Sequence, residues 1–599
     1  MKCLRSYCDK MRKAISAANL FKQAPTLHFY PENKTAGKED VKVLKSRKKK
    51  VITLDIGPFH AVETILVDSG DKVHHSNQLR HLTPQRCTYG YDVLVYVGYA
   101  LFLRNCSQDR IIEELARRNV SISQREVGYL GRKFIACLAI AHQQSRQRLK
   151  RHMALRGGYI LHMDGTCEGD SPHLFTGIDG IANIVLDNNK LSSEKAELII
   201  PFLHGIQRQY GQPIALVHDM GQGILSAVKT VFNGIPDFIC HFHFLRDIGK
   251  DLFEKDYSKI RTRLKKHKIR GVLRQKAKAL EKIINDDPKA VGQLLTSVNN
   301  GQMDPSFLQS MPAMAAYAMI HWAFDTSDQL DGYGFPFDCP HLIFYQRLTA
   351  VHGFVRRYSR LGMYRAKNNR ALLNLWGPLT RVIEDQQLSR ASSQMKEKMD
   401  KFRKLRTALA IAVPEDRKGL NDDGLAADIK SIEEKIAKFR KEIMDDEKCR
   451  QKDAYKKMIE QIDKYWEKLF ADPITVNTPN GKLTIQPQRT NNILERFFRD
   501  FKRGNRKRSG TISLNRTIRS MAADTPLVKN LDNEEYMKIL LNGSSTLEEC
   551  FAKIDTNIVL ERLKAEHNKT ERINPQMKKI VRLPDLPQRM IALLTCRQY

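Results

Sequence analysis

The sequence of 599 residues excludes several classes of protein through what it lacks. Its 11 cysteines are scattered and no two have the CxxC spacing, so neither a zinc ribbon nor a disulfide framework is predicted. No apolar run is long enough to span a bilayer, and no signal-peptide stretch follows the basic first residues. There is no lipidation signal either. We therefore expect a soluble, cytoplasmic protein without membrane association.

Acidic residues are the other shortage. The chain has 67 Asp and Glu against 100 Lys and Arg, which gives a formal net charge of +33 and a pI near 9.7. Such an excess of positive charge is typical of proteins that bind nucleic acid, because each neutralised phosphate releases condensed counterions. We expect a nucleic-acid partner and an association with the nucleoid.

The chain is too long for a single hydrophobic core, so several domains are expected. Shifts in charge and in apolar periodicity divide it into seven segments. They are a basic N-terminal arm (1–50), a small β element (51–86), a helix-turn-helix-like DNA-binding domain (87–150), the first part of an α/β core (151–250), an all-helical insertion (251–480), the second part of that core (481–525) and a C-terminal helical tail (526–599).

Helical periodicity predicts three helices within residues 91–143. Ser107 stands at the N-cap of the second, and Ser123 with Glu126 forms the capping box of the third. A tight turn before a last helix is typical of a helix-turn-helix, whose third helix enters the major groove. The alternative, a plain helical bundle that packs on the next domain, stays open. The residues expected to face DNA in the first case are Gln124, Arg125 and Tyr129.

Between residues 158 and 250 the pattern changes to short β-like runs. The runs GYILHMD, LFTGID and ANIVL precede a helix, and PIALVHD and DFICHFHF follow, with a second helix between them. Three consecutive strands predict an antiparallel meander, and the strand–helix–strand crossovers predict parallel additions to the same sheet. The expected core is thus a mixed five-stranded sheet with flanking helices, an order that matches the ribonuclease H fold.

The insertion predicted after this core is helical and partly basic. The segment 255–282 has 12 Lys or Arg and is a plausible phosphate-facing surface. Further on, apolar residues spaced by three and four run from Met395 to Leu409 and from Ile429 to Leu469, with Pro414, Gly419 and Gly424 between them. This spacing predicts an antiparallel helical hairpin.

Two aspartates end predicted strands of the core. Asp164 ends the first (YILHMD) and Asp219 ends the fourth (IALVHD). If these strands are neighbours, the two carboxylates converge and offer the oxygen ligands that a pair of hard divalent cations requires. Asp179 also follows an apolar run, and the choice of Asp164 over it rests on position in the expected fold.

A third acid lies in the late segment RTNNILERFFRDFKRGNRKRSG. Leu494, Phe497, Phe498 and Phe501 form a core stripe at helical spacing, and Glu495 lies at its margin. A solvated helix with ion pairs is the alternative, but it would not need three aromatics and so large an excess of cations.

The motif TNNxxERxFRxxKRxxR around Glu495 and the CxxH motif of Cys240 and His243 resemble those of Mutator-like and related prokaryotic insertion-sequence DDE transposases. The resemblance covers about residues 158–250 and 485–510. It implies a ribonuclease H-like core in which Asp164, Asp219 and Glu495 are both the catalytic residues and the ligands of two Mg²⁺ ions, for which Mn²⁺ can substitute.

The implied reaction is hydrolysis at the transposon ends, followed by attack of the freed 3′-hydroxyls on target DNA. The implied partners are terminal inverted repeats, target DNA and a second or further copy of the chain. A zinc site at Cys240 and His243 would need two more ligands, so we expect structural packing beside the active site or a polar contact to DNA there. The basic residues expected along the DNA backbone are Arg496, Arg499, Lys502, Arg503, Arg506, Lys507 and Arg508.

Two other functions stay open from the sequence. The chain could be a nuclease or junction resolvase on the same fold, although so large a helical insertion is rare in those enzymes. It could also be a transposase-derived DNA-binding regulator, against which the intact acidic triad argues.

Overall fold

A computed structural model describes residues 21–32, 41–301, 311–360, 370–411, 429–569, 577, 580 and 583–595. The chain forms two compact units. The first contains residues 1–237, 474–485 and 491–599, and the second contains 238–473 and 486–490. Most of the predicted N-terminal arm, and the residues Pro414, Gly419 and Gly424, lie outside the described residues.

The first unit begins with a small sheet in the order β1-β3-β2, with β4 also paired to β3. Its strands are β1 (Thr26–Phe29), β2 (Lys42–Thr53), β3 (Gly57–Val67) and β4 (Val73–His74). The run Lys42–Lys50, which we expected in an arm, is therefore part of β2 and pairs with β3 in antiparallel register. Its cations lie on an edge strand, where exposed lysines protect the backbone from further pairing.

The helices of the first unit before the crossover to the second are α1 (Asn77–Leu82), α2 (Tyr91–Phe102), α3 (Gln108–Ala116), α4 (Gln124–Leu155), α5 (Ala196–Tyr210) and α6 (Gln222–Val231). The predicted caps are confirmed, since Ser107 Oγ accepts from the amide of Arg110 and Ser123 Oγ from that of Glu126. Helix α4 extends well past the predicted end at residue 143 because its apolar face continues into the main core.

The five-stranded sheet has the order β7-β6-β5-β8-β9. Strands β5, β6 and β7 form the predicted antiparallel meander, and β8 joins β5 in parallel. The last predicted strand is shorter than expected, because a helix begins at His241. The bounds are β5 (Ile160–Thr166), β6 (His173–Asp179), β7 (Ile184–Leu191), β8 (Ala215–His218) and β9 (Asp237–Ile239).

The second unit is built from helices. They are α7 (His241–Lys266), α8 (Ile269–Asp286), α9 (Pro288–Asn300), α10 (Met311–Phe324), α11 (Pro340–Arg360), α12 (Arg370–Ile383), α13 (Gln386–Ala408), α14 (Ile429–Asp445), α15 (Glu447–Arg450), α16 (Asp453–Lys464) and α17 (Trp466–Leu469), with a 3-10 turn at Ser327–Gln329.

The predicted hairpin is present as α13 packed on α14. Lys401 Nζ lies 3.1 Å from Asp446 Oδ2 and Lys404 Nζ 3.7 Å from Glu442 Oε2, so the two segments run antiparallel. The expected seam is interrupted after Asp445, where short helices replace a continuous one.

The remaining elements return to the first unit. They are β10 (Ile474–Thr478), β11 (Gly481–Ile485), α18 (Asn492–Ser509), α19 (Asn515–Ser520), a 3-10 helix (Thr525–Asp532), α20 (Glu534–Leu541), α21 (Leu547–Ala552), α22 (Thr556–Lys569) and α23 (Leu586–Thr595). The β10–β11 hairpin spans the expected boundary at residue 480.

Residues after 525 are not a tail over most of their described length. Leu527, Tyr536 and Phe551 belong to the same core as α4 and the large sheet. The side chain of Asn530 accepts from the amide of Val185 at 2.7 Å and donates to its carbonyl at 2.9 Å. It thereby satisfies backbone groups on the edge strand β7, which an isolated sheet would leave open. Among the described residues, no helix is both long and apolar enough to cross a membrane.

Candidate active site

Asp164 and Asp219 occupy matching positions on neighbouring strands. In the parallel register of β5 and β8, His162 pairs with Val217, and each aspartate lies two residues beyond that pair. Parallel strands end at the same edge of a sheet, so both carboxylates lie at the carboxyl end of this one. Asp164 Oδ1 accepts from the amide of Gly165 at 2.7 Å, and Asp219 Oδ1 from that of Gly221 at 3.1 Å.

A pair of side-chain hydrogen bonds holds the start of α18 against β5. Nδ1 of His162 donates to Oδ1 of Asn491 at 3.0 Å, and Nδ2 of Asn491 donates to the carbonyl of Met163 at 3.1 Å. Both side chains are fully buried. Burial lowers the pKa of His162 to about 4, and the bond to Asn491 opposes this shift, so the ring is neutral and carries its proton on Nδ1. We call this arrangement the Asn491 clasp.

The Asn491 clasp places Glu495 at the same end of the sheet as Asp164. The amide of Glu495 donates to the carbonyl of Asn491 at 3.1 Å, one helical turn further on. Glu495 is half-buried in the first turn of α18, where the helix dipole favours a carboxylate. The three predicted acids therefore belong to one region of the first unit, and none of them is fully exposed.

The three carboxylates do not form a closed ligand cluster. Within the described ranges, no group of three or more His, Cys, Asp or Glu is arranged to hold a metal ion. The donor set itself fits a hard divalent cation, because it consists of carboxylate oxygens.

Asp179, the alternative first acid, lies elsewhere. It pairs with Leu161, near the amino end of β5, whereas Asp164 pairs with Thr176. Its side chain is almost fully buried, which raises its pKa to about 7, and it accepts from the amide of Ile181 at 2.9 Å. Asp179 therefore caps a turn at the opposite end of the strands from Asp164.

Glu194 is an acid near this region that sequence reasoning missed. A Cβ added at Gly165 would meet Glu194 Oε1 at 2.5 Å, and one added at Gly223 would meet the Glu194 carbonyl oxygen at 1.8 Å. Glu194 thus lies between the residue after Asp164 and the first turn of α6. Its Oε1 accepts from His173 Nδ1 at 2.9 Å. The two glycines, Gly165 in β5 and Gly223 in the first turn of α6, were the only sequence signal for it.

The basic residues of α18 continue from Glu495 along one face. At about 100° per residue, Arg499, Lys502 and Arg506 fall on the side of Glu495, with Arg496, Arg503 and Lys507 at its flank. All six are exposed. Burial and the charge of Glu194 raise the pKa of Cys167, and the charge of Lys502 opposes this shift. Glu194 and Lys502 therefore both lie close enough to Cys167, just after β5, to influence its charge.

Arg508 is the exception among the predicted DNA-contacting cations. Its guanidinium lies over the ring of Phe102 at 5.5 Å, and burial lowers its pKa. Its position on α18 falls within the arc of the core residues Phe497 and Phe501, which explains why it packs against α2. It is a structural contact in the first unit.

The predicted groove-facing residues of α4 have different surroundings. Gln124 donates its amide to Asp109 of α3, Arg125 is exposed, and Tyr129 is half-buried against the core. Two of the three therefore make contacts within the helical layer, as expected for the bundle alternative, while Arg125 faces solvent.

Cys240 and His243 belong to the second unit and are both buried. Cys240 is the N-cap residue of α7, and His243 packs edge-on against the ring of Phe242. Their burial agrees with the structural role that we expected.

Comparison of the chain with protein-family models gives no match, and comparison with curated proteins gives none either.

Proposed function

We propose that the protein is a DDE-type DNA transposase, which cleaves DNA strands at transposon ends and joins the freed 3′-hydroxyls to target DNA. The observation that carries the proposal is the shared register of Asp164 and Asp219 at the carboxyl ends of β5 and β8. The Asn491 clasp supports it, because it brings Glu495 to the same end of the sheet. The motif resemblance around Glu495 gives the reaction class.

The proposed fold is a ribonuclease H-like core with an all-helical insertion. It is supported by the strand order β7-β6-β5-β8-β9, with three antiparallel strands and a parallel fourth. It is also supported by the place of the second unit in the chain, between β9 and α18.

The chemistry follows from the types of side chain present. Two Mg²⁺ or Mn²⁺ ions, when bound, would lower the pKa of a water or 3′-hydroxyl and neutralise the leaving oxygen. Asp164, Asp219 and Glu495 supply the oxygen ligands for such ions. Arg499, Lys502 and Arg506 lie along α18 on the side of Glu495 and hold backbone phosphates, which position DNA without reading its sequence.

The test compares three carboxylate variants with two controls. Asp164→Asn, Asp219→Asn and Glu495→Gln should each lower metal-dependent nicking of terminal-repeat DNA by more than about 100-fold, the upper end for loss of an outer-shell partner. Asp500→Asn and Glu197→Gln remove exposed carboxylates, the first from the same helix as Glu495, and should keep wild-type activity.

The products separate the proposal from its rivals. Joining of cleaved ends to target DNA supports a transposase, whereas cleavage without joining would favour a nuclease or resolvase. Repeat-specific binding without metal-dependent cleavage would favour a regulator. Full activity in any one of the three variants would remove that residue from the site. Oligomeric assembly on paired ends, which this reaction requires, is tested by sedimentation with and without repeat DNA.

A further inference from the structure

The second unit contains a basic, aromatic cavity between α8 and α10. Its volume is about 450 Å³, within the range of about 300–1,000 Å³ typical of small-ligand sites. Helices α8 and α10 pack directly on each other. The residues of the cavity that matter here are Arg270, Arg274, Lys278, Tyr317, His321 and Phe324. We call it the α8–α10 pocket.

The cations of the α8–α10 pocket share one helix face. Arg270, Arg274 and Lys278 are spaced by four residues on α8, so they lie side by side. Burial and the nearby charge of Arg274 lower the pKa of Arg270, which indicates that two like charges stand together. None of the three forms a salt bridge within the described part of the chain, and Glu281 is the one carboxylate that lines this cavity.

Arg274 and Lys278 are both exposed, so solvent screens their mutual repulsion and both can contact an anion. Arg270 has a structural contact, since its guanidinium lies over the ring of Phe344 at 4.2 Å. Elsewhere in this unit Arg263 and His267 are paired with Asp385. Arg274 and Lys278 form no salt bridge among the described residues, and they are the cations that the pocket offers to a ligand with negative charge.

Aromatic rings form the other wall of the pocket. Tyr317, His321 and Phe324 are spaced by four and three residues along α10, and the rings of Tyr317 and His321 lie 4.3 Å apart. The guanidinium groups of Arg270 and Arg274 lie 6.0 and 5.7 Å from the centre of the Phe324 ring. Tyr317 and His321 stay accessible, since Tyr317 is half-buried and His321 is exposed. Rings that face a cationic wall suit a flat group that carries phosphate.

We propose that the α8–α10 pocket binds an unpaired nucleotide of single-stranded DNA. The phosphates contact Arg274 and Lys278, and the base stacks on Tyr317 and His321. Single-strand binding sites combine these two features, a cationic track and aromatic stacking platforms. Duplex DNA does not fit the pocket in this way, because its bases are already stacked and their faces are covered. The inference rests on the proposed function only in taking DNA as the nucleic acid.

The test measures binding of the full chain to a labelled oligo-dT of about 12 nucleotides by fluorescence anisotropy in EDTA. Without divalent metal no strand is cut, so the result does not depend on catalysis. The double variant Arg274→Gln/Lys278→Gln is matched by Lys266→Gln/Lys282→Gln, which removes two exposed lysines outside the pocket from the same basic region.

Arg274→Gln/Lys278→Gln should weaken oligo-dT binding on the order of tenfold. It should also flatten the log–log salt slope by about 0.7 for each phosphate that the variant no longer neutralises. The matched control should change much less. An equal loss of oligo-dT affinity in both double variants would contradict binding in the pocket, because it would show that affinity depends only on the total charge of this region.

Tyr317→Leu tests the base half of the proposal. It should weaken oligo-dT binding on the order of tenfold without a change in salt slope, and Tyr317→Phe should restore the affinity. Should Tyr317→Leu fail to fold, His321→Ala at an exposed position makes the same test. Wild-type affinity for oligo-dT in both Tyr317→Leu and His321→Ala would show that no base stacks in the pocket, and would favour a site for free phosphate. An equal loss of affinity for duplex DNA would show that the pocket does not select an unpaired base.

Discussion

Replacing Asn491 with alanine should both destabilise the first unit and disturb the alignment of Glu495 with Asp164. The substitution leaves the Nδ1–H of His162 and the carbonyl of Met163 without their partner, and both are buried. A buried polar group that loses its partner costs about 1–3 kcal/mol, so the expected loss of unfolding free energy is roughly 2–6 kcal/mol.

A buried asparagine near the other end of α18, Asn505, provides the control. Asn505 Oδ1 accepts from Thr517 Oγ1 at 2.8 Å, near the far end of α18 from Glu495. Asn505→Ala should therefore also lower stability, by about 1–3 kcal/mol. Urea unfolding measures both losses, and nicking is then assayed across a range of Mg²⁺ concentrations at a temperature where both variants are folded.

Only Asn491→Ala should change the metal dependence. Partners that orient a metal ligand typically account for about 10–100-fold in metal affinity or activity, so the Mg²⁺ concentration for half-maximal nicking should rise by a factor in that range. Asn491→Asp keeps the acceptor for His162 but not the donor to Met163, and should fall between alanine and wild type. An Asn491→Ala protein with wild-type Mg²⁺ dependence would refute the positioning role, whatever its stability.

Three further predictions concern the pH dependence of stability, the salt dependence of duplex binding and the close packing at Gly223. Burial lowers the pKa of His142 to about 4, so this residue takes up a proton on unfolding below about pH 6.5. This group alone should lower the free energy of unfolding by about 2 kcal/mol between pH 7 and pH 5. In urea unfolding, His142→Gln should weaken that pH dependence. Arg506→Ala/Lys507→Ala should reduce the salt slope of duplex binding by about 0.9 for each phosphate left without its cation; an unchanged slope would place these side chains away from DNA. Gly223→Ala places a Cβ 1.8 Å from the Glu194 carbonyl oxygen and should lower both Tm and nicking, whereas Gly271→Ala, in open space, should do neither.

The order of the large sheet could be predicted because its signals are local. Each strand is a short apolar run between turns, and the two helices between strands have clear periodicity, so the meander and crossovers follow from general rules of chain connection. The predicted N-caps at Ser107 and Ser123 are confirmed for the same reason, since a cap depends on residues three positions away.

What the sequence could not supply are contacts between distant segments. Asn at the start of α18 predicts a helix cap, yet its side chain bonds to β5, more than 300 residues earlier. The same limit applies to the hydrogen bonds between Asn530 and Val185 of β7 and to the position of Glu194 beside Gly165. Residues 526–559 were expected in a helical tail, and only the packed core shows what their apolar positions contact.

Helical periodicity predicts the surroundings of Arg508 better than its charge does. Counted as a cation, it belongs with Arg506 and Lys507; placed on the helix, it falls within the arc of Phe497 and Phe501. An arginine at such a position can bury the aliphatic part of its side chain if its guanidinium group packs on an aromatic ring, and Phe102 provides that ring. The cationic face of α18 is therefore narrower than its composition suggests, and it begins at Glu495. This track of exposed cations starts at the half-buried Glu495, and under the proposed function it is the surface along which a phosphate backbone would lie.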